Sequence, residues 1–143
     1  THLDELHWRP GWVEAPRTET AAAVAGVVAR PAWVIDGNYG DVRRCHLDEV
    51  DLFVWLDLPL TVTFPRLVRR CFVRSWRRQS CCNGNVETLR GAFLHPDSIL
   101  LWALTSHRRH QRQLTEELAR RPHVRLRSRR EVARWLARGG PAA

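Results

Sequence analysis

Apolar positions along this chain follow two rhythms that take turns. Short runs at Trp33-Val34-Ile35 and Leu52-Phe53-Val54-Trp55-Leu56, with a brief third segment at Val124 to Leu126, have the length and continuity of strands buried on both faces. His2-Leu3-Asp4 reads as the end of another strand, and Trp8-Arg9-Pro10-Gly11-Trp12 as a loop turned by Pro10-Gly11. Helical spacing fills the intervals. Pro16 and Thr18 open a helix to about Ala29, with Ala21, Val24, Ala25 and Val28 on its apolar side and Pro31 as its stop. Asp41 to Glu49 reads as a short helix. Leu60 to Gln79 reads as a long arginine-rich one, with Pro65 near its first turn. Ser80 to Asn85 is polar and turn-like. Glu87 to Leu94 is helical and is broken by His95-Pro96-Asp97. Asp97 or Ser98 then caps a helix to about Arg120, with Ile99, Trp102, Ala103, Leu114 and Leu118 on its apolar side. Ser128 caps a last helix to about Ala137. Gly139-Gly140-Pro141 ends it, leaving residues 139–143 as a tail. Strands alternating with helices predict an α/β fold with a parallel sheet, a single body over residues 1–138.

Composition narrows the class. With 143 residues and 44% hydrophobic content the chain can bury a core and is not of disordered composition. It carries no apolar run of membrane-spanning length, and Thr1 to Glu5 show neither the basic nor the apolar region of a signal peptide. The expected compartment is the cytoplasm, with no membrane partner. All 23 basic residues are arginine, and methionine is absent even at position 1. The first fact fits a GC-rich genome. The second fits either processing or a start partway through a longer protein. The net charge of +8 admits two partners, a nucleic acid or a small phosphorylated ligand. No helix-turn-helix, zinc-finger or aromatic RNA-binding motif accompanies the charge, which favours the small ligand. Cys45, Cys71, Cys81 and Cys82 form no C-x-x-C pair; adjacent Cys81 and Cys82 suit neither an ordinary disulfide nor a zinc site, so free thiols are expected.

Candidate chemistry gathers at the strand ends. Asp36, an acid directly after a buried run and before a glycine, can hold a metal-bound water or position a nucleophile; the alternative is a carboxylate capping the next turn. Asn38 and Tyr39 add polar groups to the same edge. After the strand ending at Asp57, Arg66, Arg70, Arg74 and Arg77 recur every three or four residues and share a helical face, with Arg69 and Arg78 nearby. Planar guanidinium groups suit phosphates, and a solvated basic face is the alternative. Asp4, His7 and Trp8 form a third cluster able to bind an acceptor by hydrogen bonds and stacking, or to cap the chain locally. Arg127 and Ser128 can touch a nucleotide base or cap the last helix. Arg108, Arg109, His107 and His110 read as surface.

At these residues the chain resembles the adenylate-kinase-like P-loop proteins often described as DNA topology modulation proteins. H-L-D-E-L-H-W-R-P-G-W at 2–12, W-V-I-D-G-N-Y at 33–39 and D-L-F-V-W-L-D-L-P at 51–59 carry the likeness. So do N-G-N-V-E-T-L-R at 83–90, S-I-L-L-W-A-L at 98–104 and V-R-L-R-S-R-R-E-V at 124–132. The resemblance implies a three-layer P-loop kinase-like sandwich and phosphoryl transfer from ATP, with Mg2+, to a nucleotide or other small acceptor. It implies that Asp36 lies near metal and acceptor, and that Arg66, Arg70 and Arg74 stabilise phosphoryl charge. It also implies that Gly37 and Asp4 lie by the acceptor; His7, Trp8, Asn38 and Tyr39 join them as substrate-binding candidates, and Arg127 and Ser128 as candidates for the base, on the readings of the residues above. Residues 74–90 would form a lid carrying Arg77, Arg78, Asn85 and Glu87.

One part has no counterpart. The family begins with a strand, a G-x-x-x-x-G-K-[ST] loop and a helix, and this lysine-free chain has no such loop. The expectation is therefore a kinase-like body lacking its first strand and phosphate cradle, inactive alone. The alternatives are a nucleic-acid binder using the arginine face and a degenerate nucleotide-binding relative. The acceptor and the oligomeric state are not specified by the sequence.

Overall fold

The computed structural model describes residues 1–95 and 98–140, with only the backbone of Leu47. It is mixed α/β, and the described residues divide into two compact units. The first comprises Thr1–Val50 and Arg78–Glu87, and the second Asp51–Arg77 with the chain from Thr88 onward. No helix among the described residues is long and apolar enough to cross a membrane.

In the first unit, residues 1–3 run parallel to 34–36. The Thr1 nitrogen donates to the Val34 carbonyl at 2.8 Å, Asp36 N–H to the Thr1 carbonyl at 2.9 Å and Leu3 N–H to the Asp36 carbonyl at 2.8 Å. This pairing is a single bridge, His2 with Asp36, so the strand expected at Trp33–Ile35 is not formed as such. Its described partner is three residues long, and Val34 is 80% exposed, without the two-sided cover of a buried strand. Helix α1 (Leu3–His7) leads into the two-residue strands β1 (Trp8–Arg9) and β2 (Val13–Glu14), an antiparallel hairpin turned at Pro10-Gly11. Helix α2 (Arg17–Val28) ends as expected ahead of Pro31. Its buried face is Thr20, Val24 and Val27, and not the predicted set built on Ala21, Ala25 and Val28. The bulkier valine wins the core position over the alanines. Helix α3 (Gly40–His46) continues into a 3-10 turn, Leu47–Glu49.

The second unit holds strand β3 (Phe53–Leu56), helix α4 (Leu60–Trp76), helices α5 (Leu89–Leu94) and α6 (Ile99–Leu118), strand β6 (His123–Leu126) and helix α7 (Arg129–Ala137). Strands β3 and β6 pair in parallel, Trp55 opposite Arg125 and Leu56 opposite Leu126. Along α4, Phe64, Leu67, Val68 and Cys71 recur at helical spacing and pack with Ala92 and Leu100. Pro65 is the sixth residue of α4, one turn deeper than the tolerant first turn. The helix stops three residues before Gln79, because Arg77 caps it and Arg78 turns left-handed at φ 47°. On α6 the buried residues are Leu100, Ser106, Leu114 and Leu118. Ile99 and Trp102, expected inward, are exposed. Thr88, Ser98 and Ser128 cap α5, α6 and α7. Gly139 and Gly140 turn left-handed after α7, at φ 88° and 69°, as expected of its end; Pro96 and Asp97, with the alternative cap, and residues 141–143 of the tail lie outside the described residues.

Between α4 and α5 the polar stretch 80–85 forms a second hairpin, β4 (Ser80–Cys81) against β5 (Asn85–Val86), within the first unit. Its turn, Cys82-Asn83-Gly84, holds three successive left-handed residues at φ 42°, 64° and 86°. Asparagine and glycine accept that conformation readily; the sequence signal was there, but strand pairing was not predicted from it.

Candidate functional site

The first unit brings the expected acceptor cluster together where its parallel segments end. Tyr39 donates from its hydroxyl to Asp4 Oδ1 at 2.7 Å. The His7 ring lies 4.4 Å from Tyr39 and 4.8 Å edge-on from Trp8, and Trp8 meets Trp12 at 5.6 Å. Burial, and then the bond and charge of Asp4, push the Tyr39 phenol well above its ordinary value. It is therefore a fixed donor that aims one carboxylate oxygen. Asp4 itself is exposed, so its other oxygen can meet a ligand. Gly37 has φ 146°, and a Cβ there would lie 2.6 Å from Leu3 Cβ, so only glycine lets the turn pass Leu3.

Asp36 is exposed and accepts from His2 Nδ1 at 3.1 Å. His2 was not singled out in the sequence; the parallel register that puts it opposite Asp36 was the signal available. Asn38 is exposed, and its carboxamide oxygen accepts from Arg43. An exposed carboxylate oxygen fits a metal-bound water. Among the described residues no group of three His, Cys, Asp or Glu could hold a metal directly.

The hairpin expected as a lid is tied to this cluster by two asparagines. Asn83 Nδ2 donates to the carbonyls of Glu5 at 2.6 Å and Trp8 at 2.7 Å. Asn85, 3% exposed, donates to the carbonyls of Arg9 at 2.9 Å and Cys82 at 2.7 Å, and accepts from Trp12 N–H at 2.8 Å. Asn85 thus serves as a buried clamp, and Asn83, not among the predicted site residues, shares that work. Arg78 and Glu87 flank the open base of the hairpin, Arg78 exposed and Glu87 half-buried.

In the second unit, Arg66 and Arg70 are exposed on α4 and Arg74 is half-buried; Arg77 is the cap. Asp57, 7% exposed, is committed elsewhere. Arg125 donates to its Oδ2 through Nε at 2.8 Å and the NH2 nitrogen at 2.7 Å, and Gln111 donates to Oδ1 at 2.7 Å. The Arg125 guanidinium lies 4.0 Å over Trp55. Asp57 is therefore a structural knot at the end of β3, not a ligand group. Arg127 approaches the same carboxylate at 3.9 Å, while its backbone N–H donates to Glu131 Oε2 at 2.7 Å. Ser128 and Glu131 exchange bonds as a capping box, at 3.1 and 3.2 Å. A shallow cleft of about 230 Å³ is lined by Gln111, Arg112, Thr115, Glu116 and Arg125. No protein-family model, curated protein or solved structure matches this chain.

Proposed function

We propose that the first unit binds the acceptor of a phosphoryl transfer, and that the complete protein is a P-loop nucleotide-kinase-like phosphotransferase using ATP and Mg2+ on a small-molecule or nucleotide acceptor. The observation that carries this reading is the Tyr39-oriented Asp4 carboxylate beside the His7 and Trp8 rings. A carboxylate held at one oxygen can accept from an acceptor hydroxyl, and the rings can cover a planar or sugar-like face. In this reading Asp36 holds a magnesium-bound water at the same edge. Arg66, Arg70 and Arg74 supply guanidinium groups for phosphate charge. The 143 residues contain no lysine and no G-x-x-x-x-G-K-[ST] loop to cradle the ATP phosphates. The 143 residues alone should show no ATP turnover.

Binding tests the acceptor role directly. Calorimetric titration of the protein with nucleosides and nucleoside monophosphates should show at least one ligand whose affinity falls about tenfold or more in Asp4→Asn, the loss of one charge-assisted hydrogen bond. Affinity equal in wild type and Asp4→Asn for every ligand bound would reject the site. In the complete protein, Asp36→Asn should abolish phosphoryl transfer while leaving the fold intact.

A further inference from the structure

The outward side of α4 carries two rings that the core does not use. Its apolar face, Phe64, Leu67, Val68 and Cys71, is covered within the second unit. Phe72 and Trp76 lie roughly a quarter-turn away at 100° per residue. They are 50% and 75% exposed. Their rings are nearly parallel, at 15° with centroids 6.2 Å apart. Arg69 lies on the same stripe and Arg77 follows it at the helix end; both are exposed, and no ion pair engages either among the described residues.

We propose that this stripe, Arg69, Phe72, Trp76 and Arg77, docks single-stranded nucleic acid. The partner follows from the chemistry. Free guanidinium groups in a chain of net charge +8 select a polyanion. Exposed, aligned rings on a rigid helix select a polyanion with flat apolar faces, which unpaired bases have and a duplex hides in its stack. Reading a duplex through its groove edges favours carboxamide side chains as well as arginine, and α4 has no asparagine or glutamine. A lipid surface asks for a broad apolar helix face, and the broad face of α4 is already in the core. The Asp4, His7, Trp8 and Tyr39 cluster lies in the other unit, and Arg66, Arg70 and Arg74, proposed above for phosphate charge, are not members of this stripe although they share α4.

The test is fluorescence anisotropy of a labelled oligothymidylate of about twenty nucleotides at about 50 and 200 mM salt. A duplex of equal length and phosphatidylserine vesicles are the competitors. The oligothymidylate should bind, more tightly than the duplex, and weaken steeply with salt. Phe72→Ala/Trp76→Ala should weaken it by about 10- to 100-fold with circular dichroism unchanged, because both side chains are exposed. Arg69→Ala should lower the salt slope by about 0.7. No binding at the lower salt, equal affinity of the double variant, equal affinity for the duplex, or ring-dependent binding of vesicles alone would each overturn the proposal.

Discussion

Asn85 makes three hydrogen bonds from a 3% exposed position, two as donor to backbone carbonyls and one as acceptor from Trp12 N–H. Truncation to alanine leaves those groups without their partner in a dry site. Asn85→Ala should therefore cost about 1–3 kcal/mol, read as a lower midpoint in urea. Asn85→Asp keeps the acceptor but loses both donated bonds, and should recover only part of the loss. The chain has one tyrosine, so ultraviolet difference titration reads Tyr39 alone. Its raised folded value means that neutral Tyr39 stabilises the fold fully below the ordinary value of 10 and that this stability is lost as pH rises through the folded value. The phenolate signal should appear above pH 10, together with alkaline unfolding. A transition at 10 in the folded protein would show that Tyr39 is neither buried nor tied to Asp4.

Elements were legible wherever local chemistry alone decides them. Ser98 and Ser128 cap α6 and α7 as their positions before apolar-periodic runs suggested, and Val24 sits in the core of α2. Where a partner decides, the sequence was ambiguous. Trp33–Ile35 has the composition of a buried strand, but its pairing with residues 1–3 amounts to one bridge and Val34 is left 80% exposed. Asp57 reads only as the end of a strand; its partner, Arg125, is 68 residues away, and nothing local announces that pairing. The meeting of Asp4, His7, Trp8 and Tyr39 agrees with their reading as one candidate cluster, but the Asn83 and Asn85 clamp was hidden in a stretch that reads merely as a turn. At α7, the carboxylate of Glu131 is held below its ordinary 4.5, first by the Arg127 N–H and then by the Ser128 hydroxyl. The cap is thus complete above 4.5 and lost as pH falls through the depressed value. Carbon-13 NMR should give Glu131 a midpoint below 4.5, and Ser128→Ala should move it upward. A midpoint at 4.5 or higher would remove the capping box.

At the scale of the whole molecule, the chain passes between its two units three times, after Val50, Arg77 and Glu87, and each unit has a polar tie of its own. The first unit is tied by Asn83 and Asn85, which join residues 82–86 to 5–12. The second is tied by Asp57, which joins β3 to β6 and α6 through Arg125 and Gln111. Removing one partner of a buried ion pair strands the other charge and costs about 3–5 kcal/mol; Asp57→Asn should approach that range, because the Arg125 head is mostly buried. The two ties make a reciprocal prediction for hydrogen exchange. Asn83→Ala/Asn85→Ala should speed exchange in residues 8–14 and 78–87 and leave β3, β6 and α7 at wild-type rates. Asp57→Asn should speed exchange in β3, β6 and the last turns of α6 and leave the two hairpins unchanged. If either variant speeds both regions equally, the units open together as one cooperative body. If each variant acts only on its own side, the polar ties and not the apolar core set where the chain first opens. The Asp4, His7, Trp8 and Tyr39 cluster then loosens with the hairpin clamp, independently of the arginine helix.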